Sequence, residues 1–181
     1  MVESVDPFSR EGNIMGPKTT ENLKAAFAGE SQAHMKYMIF ADKAEKEGLR
    51  NIARLFSAVS FAERVHATAH HNVVFGVKPT AENLDSAVAG ETYEVEKMYP
   101  EFRAAAEKEG EQGALTTIRY AIEAEKIHAK LYARAKGAAA SGKDLPIGDI
   151  HICPVCGHTT EGGAPDRCPV CGAAKEMFRK F

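Results

Sequence analysis

Apolar residues recur at intervals of three and four through most of the chain between residues 19 and 140. This spacing places them on one face of a helix, so the pattern predicts amphipathic helices rather than strands. Four such stripes occur, over residues 23–44, 52–73, 84–105 and 115–132. The sequence therefore predicts four long helices.

Glycine and proline interrupt this pattern at three places, at Gly48, at residues 76–79 and at residues 110–113. The first and last interruptions are tight, whereas the central one is longer. We expect two helical hairpins joined by a crossover connection, which is an all-α four-helix bundle. Thr80 is expected to cap the third helix, and Pro100 is expected to kink it.

The composition changes at both ends of the predicted bundle. Residues 1–18 show no periodicity and predict a flexible arm, and the Gly, Ala, Ser and Lys residues of 137–143 predict a linker. All four cysteines follow this linker. The predicted domains are the arm at 1–18, the bundle at 19–140, a linker at 141–149 and a cysteine domain at 150–181.

The charge balance excludes several classes of function. A net charge of -2 and a pI near 6.4 give no basic excess of the kind that nucleic acids attract. The apolar runs are too short for a membrane span, and no signal peptide opens the chain. We therefore expect a cytoplasmic protein that binds neither nucleic acid nor membrane.

An internal repeat relates the two halves of the predicted bundle. Residues 26–31 read Ala-Phe-Ala-Gly-Glu-Ser, and residues 87–92 read Ala-Val-Ala-Gly-Glu-Thr, at an offset of 61. The pair Glu63-x-x-His66 then recurs as Glu125-x-x-His128, at an offset of 62. Repeated markers at one separation predict two hairpins related by a pseudo-two-fold axis.

The carboxylates of this repeat fall on the apolar stripes, where a single unpaired carboxylate costs several kcal/mol. No Lys or Arg occupies the matching stripe positions, so two metal cations are the expected partners. Carboxylate and imidazole ligands suit iron or manganese. One Glu from each of two helices, with Glu-x-x-His from each of the other two, is the ligand set of di-iron bundles. The predicted metal ligands are Glu30, Glu63, His66, Glu91, Glu94, Glu125 and His128.

Several residues on or near these stripes have individual interpretations. Glu94 has no counterpart in the first repeat, where Ala33 stands, so the site is expected to be asymmetric. Tyr37 and Tyr99 lie about two turns beyond Glu30 and Glu91, and either they hydrogen-bond ligand carboxylates or they are ordinary core tyrosines. For His34 and His70 we expect a structural role, and for His71 a place on the surface.

The cysteines form two near copies, Cys153-Pro-Val-Cys156-Gly and Cys168-Pro-Val-Cys171-Gly. In a reducing compartment such pairs favour a metal over disulfides. The N–H groups of each turn are expected to point at thiolate sulfur, and two turns place four sulfurs tetrahedrally. Iron there would carry one electron, whereas zinc would act as a structural staple, and the spacing alone allows both.

These motifs together resemble the rubrerythrin family over residues 19–181. The resemblance rests on both Ala-Gly-Glu-Ser/Thr segments, both Glu-x-x-His pairs, Glu94, Met98-Tyr99-Pro100 and the two cysteine motifs. It implies a ferritin-like bundle with a rubredoxin-like C-terminal domain. The implied cofactors are two irons at the seven ligands above and one iron at the cysteines.

The resemblance also implies a non-haem di-iron peroxidase that reduces hydrogen peroxide to water in oxidative-stress defence. In the family one iron exchanges a histidine for the extra glutamate, and the matching positions are His66 and Glu94. The implied donors are rubredoxin and an NAD(P)H-dependent reductase. The implied assembly is a homodimer, with the cysteine iron of one subunit near the di-iron site of the other.

Two other functions remain open on the sequence alone. A ferroxidase or iron-storage protein of ferritin type would use the same ligands, although storage needs no built-in electron inlet. A non-enzymatic binding module would use the four cysteines as a zinc ribbon for partner recognition.

Overall fold

The computed structural model describes residues 15–181, so that residues 1–14 of the predicted arm lie outside the described part. The described chain is mainly helical, as the sequence predicts, and it divides into two compact units at Val77. The helices are α1 (Pro17–Lys46), α2 (Arg50–Val74), α3 (Thr80–Tyr93), α4 (Tyr99–Glu109) and α5 (Gln112–Ala140). Within residues 15–181, no helix is both long and apolar enough to cross a bilayer.

The first unit is a hairpin of α1 and α2. Gly48 makes the turn between them at φ 77°, a left-handed conformation that glycine adopts without strain. The residues buried between the helices are all small, which lets the two backbones approach closely. They are Ala41, Ala44, Ala53, Ser60 and Ala67.

Two histidines of this hairpin contact side chains of the other helix. Nδ1 of His34 lies 2.8 Å from the hydroxyl of Ser60, which is 2% exposed, and this confirms the structural role expected for His34. The surface position expected for His71 is wrong. Its ring lies half-buried, because Phe27 of α1 and Phe75 at the end of α2 pack against it.

Several large apolar residues of α2 are exposed, although an apolar stripe on a bundle helix is expected to be buried. Ile52, Leu55 and Val59 precede Glu63 on that stripe, and they are 46%, 62% and 36% exposed. The hairpin therefore packs through small residues and leaves larger apolar side chains in water, which costs free energy in proportion to the apolar area.

The second unit begins with α3, for which the predicted Thr80 cap is wrong. Pro79 holds the N-cap position, Thr80 is the first helical residue, and the Asn83 side chain instead bonds both backbone groups of Lys78. Glu82 does lie in the first turn, where the helix dipole favours an anion.

A five-residue π-helical segment, Glu94–Met98, separates α3 from α4. It ends just before Pro100, whose ring cannot supply the backbone N–H of a regular helix. The kink expected at Pro100 stays a prediction, and what the structure shows just before it is a π-bulge, a feature that is frequent at functional sites.

Helix α5 continues to Ala140, so residues 137–140 of the predicted 137–143 linker are helical. Three alanines follow Gly137, and alanine has the strongest helix propensity of all residues. The chain then turns at Gly142, with φ 68°, and leads to the cysteine domain.

The cysteine domain is a small antiparallel sheet. Strands β1 (Ile150–Ile152), β2 (Thr159–Glu161) and β3 (Arg179–Lys180) lie in the order β2-β1-β3. In the register, His151 is opposite Thr160 on one side and Lys180 on the other. A sheet this small cannot bury much apolar surface, so its core is built around the sulfur atoms.

Candidate metal centres

The first group of predicted ligands lies on the α1–α2 hairpin. The ligand atoms of Glu30, Glu63 and His66 all lie within 4.8 Å of one another. Nδ1 of His66 is 3.0 Å from Oε2 of Glu63, because residues three apart share a helix face. The His66 side chain is 56% exposed, whereas that of Glu63 is 17% exposed.

The second group lies on α3 and α5 and repeats the first. The ligand atoms of Glu91, Glu125 and His128 also lie within 4.8 Å of one another. Nδ1 of His128 is 2.5 Å from Oε2 of Glu125, and both side chains are largely buried. The internal repeat thus produces two equivalent groups of three ligands.

Burial and neighbouring carboxylates raise the pKa of two glutamates at the second group, Glu91 and Glu94. Burial raises the pKa of Glu91 to about 7, helped by a hydrogen bond that protonated Glu91 donates to Glu125 and by the charges of Glu125 and Glu94. Burial and the charge of Glu125 likewise raise the pKa of Glu94. A cation among these oxygens would remove the repulsion, so the donor set fits a metal.

Glu94 and Tyr99 lie at the edge of this group. Glu94 lies outside the three closest ligands, but its pKa responds to the charges of both Glu125 and His128. It belongs to the π-helical segment, where the backbone departs from regular α geometry. Burial and the carboxylates of Glu94, Glu125 and Glu91 raise the pKa of Tyr99, so its hydroxyl keeps its proton.

Tyr37 has different neighbours. Its ring centroid lies 6.2 Å from those of Phe40 and Phe56, within the aromatic part of the first hairpin. A role for Tyr37 beside the ligands stays a prediction. The convergence of all seven ligands on one metal pair also stays a prediction.

The four cysteines lie together in the second unit as two equivalent turns. Sγ of Cys153 is 3.5 Å from that of Cys171, and Sγ of Cys156 is 3.5 Å from that of Cys168. Metal–sulfur bonds of about 2.3 Å in a tetrahedron place sulfurs roughly 3.8 Å apart, so these thiols fit one ion. Gly157 and Gly172 end the turns at φ 75° and 78°, which explains the glycine after each motif.

Backbone N–H groups point at the sulfurs, as expected. Burial raises the pKa of Cys168, but the N–H groups of Cys171 and Val170 and the neighbouring thiols outweigh it and leave that pKa at about 7. Burial raises the pKa of Cys156 despite a hydrogen bond from the N–H of His158. Such donors favour the thiolate form that binds a metal.

The cysteine domain packs against α5 beside the second ligand group. Tyr120 lies against the cysteine cluster, and a Cβ added at Gly157 would sit 3.5 Å from the Cβ of Ala124. Thr159, which is 5% exposed, hydrogen-bonds His128. Sequence reasoning missed Thr159, because nothing local marks a contact between residues 31 positions apart.

Comparison with known families agrees with this arrangement over nearly the whole chain. The model of the rubrerythrin family matches residues 21–136. The model of the rubrerythrin rubredoxin-like domain matches residues 151–179. Both matches coincide with the two kinds of ligand group described above.

Individual relatives show the same likeness. The chain is 40% identical to rubrerythrin-2 of Clostridium acetobutylicum, over 93% of this chain and all of that one. It is 38% identical to nigerythrin of Nitratidesulfovibrio vulgaris, over 90% of this chain and 86% of that one. The solved structure of fully reduced, all-ferrous nigerythrin matches with a TM-score of 0.53 and 33% identity, over 99% of this chain and 96% of that one.

Proposed function

The chain belongs to the rubrerythrin family, and from this premise we propose that it is a non-haem di-iron peroxidase that reduces hydrogen peroxide to water. Its fold class is a ferritin-like helical bundle with a rubredoxin-like C-terminal domain. The observation that carries the proposal is the pairing of two carboxylate–histidine groups with a four-thiolate group in one chain.

We assign two irons to the two carboxylate–histidine groups and to Glu94. Glu30, Glu63 and His66 would hold one side, and Glu91, Glu125 and His128 the other. When bound, the iron pair supplies two electrons to the peroxide, one from each ion. Carboxylate ligands suit this role because they stabilise the more highly charged oxidised ions.

The chain's own groups supply protons and orientation. Reduction of one hydrogen peroxide to two waters takes two electrons and two protons. The raised pKa of Tyr99 keeps its hydroxyl protonated beside the carboxylates, where it could donate a hydrogen bond to hydrogen peroxide. Glu91, with its pKa at about 7 in the metal-free protein, must release its proton when a metal binds.

We assign a third iron to the cysteines, as the entry point for electrons. Cys153, Cys156, Cys168 and Cys171 can hold a one-electron carrier, and their turns pack on α5 beside Glu125-x-x-His128. Zinc fits the same four sulfurs and would block this role. The proposed donors are rubredoxin and an NAD(P)H-dependent reductase, in a cytoplasmic homodimer that serves oxidative-stress defence.

The four-thiolate group favours a peroxidase over a ferritin-type ferroxidase, because a storage protein has no use for an electron carrier of its own. Steady-state turnover tests the proposal directly. Iron-loaded protein with a reduced rubredoxin should consume many equivalents of peroxide without taking up further iron. Net iron uptake with no donor-linked peroxide consumption would instead identify a ferroxidase.

A further inference from the structure

The cysteine domain is joined to α5 by two polar contacts that come from one strand. The hydroxyl of Thr159 lies 2.7 Å from Nε2 of His128, and the carboxylate of Glu161 pairs with the guanidinium of Arg134. Alternate residues of a strand point to the same side, so both side chains of β2 face the helix. The six residues from His128 to Arg134 rise about 9 Å along α5, and β2 therefore lies along the helix rather than touching it at one point.

The outer of these contacts is a two-pronged ion pair. Nη1 of Arg134 lies 2.5 Å from Oε2 of Glu161, and Nη2 lies 3.4 Å from Oε1. The hydrogen bond and the charge of Arg134, together with the N–H of Gly148, lower the pKa of Glu161, so the carboxylate stays charged at neutral pH. A planar guanidinium that meets both oxygens fixes orientation as well as distance. Glu161 thus ties β2 both to α5 and to the segment that precedes β1.

The apolar packing beside these contacts is incomplete. A cavity of about 320 Å³ lies between α3, α5 and the segment that leads into β1, and Leu84, Leu131 and Ile147 line it together with His128 and Thr159. Side chains on opposite sides of such a space do not interdigitate, so dispersion contacts do not fix the strand against the helix. On this side of the cysteine domain, the polar contacts are therefore left to set its position.

We propose that Arg134 and Glu161 are positioning residues that keep the cysteine domain seated on α5. With the pair in place, Thr159 stays on His128 and the first cysteine turn stays against Ala124, so the four sulfurs remain beside the second ligand group. Without the pair, the domain can swing away on the preceding segment, and electron transfer slows steeply as the distance between donor and acceptor grows. This inference rests on the electron-entry role of the cysteine site in the proposed function.

Charge reversal tests the pair. Arg134→Glu and Glu161→Arg each place like charges together, and the two changes combined restore an ion pair with its direction reversed. Backbone nitrogen NMR relaxation of zinc-loaded protein measures how the cysteine domain tumbles relative to α5. We expect one rigid body in the wild type and in the double variant, and faster tumbling of the cysteine domain in each single variant. In iron-loaded protein, kcat with a reduced rubredoxin should fall about threefold or more in each single variant and recover in the double variant.

Two further variants complete the design. Lys136→Glu breaks a similarly exposed ion pair, to Asp85 of α3, and should change neither readout because the cysteine domain takes no part in that pair. Glu161→Gln is a milder loss that keeps the shape of the side chain, and it should shift both readouts in the same direction as Glu161→Arg. A cysteine domain that tumbles with α5 in both single variants, or a double variant that recovers neither readout, would overturn the positioning role. The relaxation measurement needs no turnover, so a wild type without peroxidase activity would reject the proposed function alone.

Discussion

Nε2 of His128 lies 2.7 Å from the hydroxyl oxygen of Thr159, which joins a predicted metal ligand on α5 to the cysteine domain. The Thr159 hydroxyl donates its one proton to the carbonyl oxygen of Gly157, at 3.0 Å. His128 must therefore donate through Nε2–H. Nδ1 of His128 then faces Oε2 of Glu125 at 2.5 Å, and the proton that these two atoms share in the metal-free protein must leave before Nδ1 can bind a metal.

We expect Thr159→Val to loosen this arrangement without disturbing the packing, since valine has nearly the shape of threonine. Loss of the acceptor should let the Nδ1–H tautomer of His128 appear. Bundle metal affinity should fall about tenfold or more, the usual cost of losing a partner of a ligating histidine. Long-range nitrogen–proton NMR of the metal-free protein reads the tautomer, and chelator competition reads the affinity.

Two variants serve as controls for this prediction. Thr159→Ser keeps the hydroxyl and should restore both readouts, whereas Thr160→Val makes the same change at the next position of β2 and should alter neither. If Thr159→Val kept the Nε2–H tautomer and a normal metal affinity, Thr159 would have no role in orienting His128.

The two carboxylate–histidine groups were predictable because helical spacing and the internal repeat are local signals. Glu63 and His66 share a face by their separation alone, and the copy at Glu125 and His128 marks both pairs. The contact between His128 and Thr159 depends on how the cysteine domain packs on α5, and no spacing encodes that. The π-bulge at Glu94 was predictable only in part, since Pro100 indicates that the helix is irregular there but not that it forms a π-helical segment.

The metal-free protein should lose stability as the pH rises from 5 to 8. The pKa of Glu91 is raised from 4.5 to about 7, so the folded state holds this proton more tightly than the unfolded chain. That contribution is complete below pH 4.5 and is lost as the pH passes 7. Glu94 acts in the same direction. Urea unfolding of metal-free protein at several pH values measures the trend.

Glu91→Gln isolates the contribution of this one carboxyl from other titrating groups, such as His158. The stability of the variant relative to the wild type should increase between pH 5 and 8, because glutamine has no proton to lose. The exposed Glu96 provides the matched control, and Glu96→Gln should show no such increase. A constant difference between Glu91→Gln and the wild type over this range would contradict the prediction.

Cys156→Ser should interrupt electron delivery while sparing the helices. The substitution removes one of four sulfurs around the cysteine metal, and Cys156 belongs to the core of that domain rather than to the helical ligand groups. Visible absorption of the cysteine iron should be lost, bundle iron should be retained, and most peroxide turnover with a reduced rubredoxin should disappear.

A chemical reductant that reaches the bundle directly provides the control for Cys156→Ser. The variant, reduced in this way and mixed once with peroxide, should re-oxidise its bundle iron at the wild-type rate. Full donor-linked turnover despite loss of the cysteine-iron colour would show that electrons enter elsewhere.

Glu94→Ala should separate metal binding from turnover. Glu94 has no counterpart in the first repeat, it lies outside the closest group of three ligands, and it belongs to the π-bulge. A carboxylate placed in this way can bind when the irons are oxidised and withdraw when they are reduced. The side chain of His66 is only weakly held in place, since its one hydrogen bond among the described contacts is to Glu63. Neutral His66 suits the less charged, reduced state.

The comparison that decides this role sets Glu94→Ala beside Glu30→Ala. Glu30 belongs to a closest group of three, so Glu30→Ala should lose bundle iron outright. Glu94→Ala should keep both irons yet turn over peroxide at least about tenfold more slowly, a barrier increase of about 1.4 kcal/mol or more. X-ray absorption of oxidised and reduced wild-type protein should also show a ligand exchange that Glu94→Ala lacks. Normal turnover in Glu94→Ala, or iron loss as severe as in Glu30→Ala, would show that Glu94 does not act as a carboxylate that binds in one oxidation state and withdraws in the other.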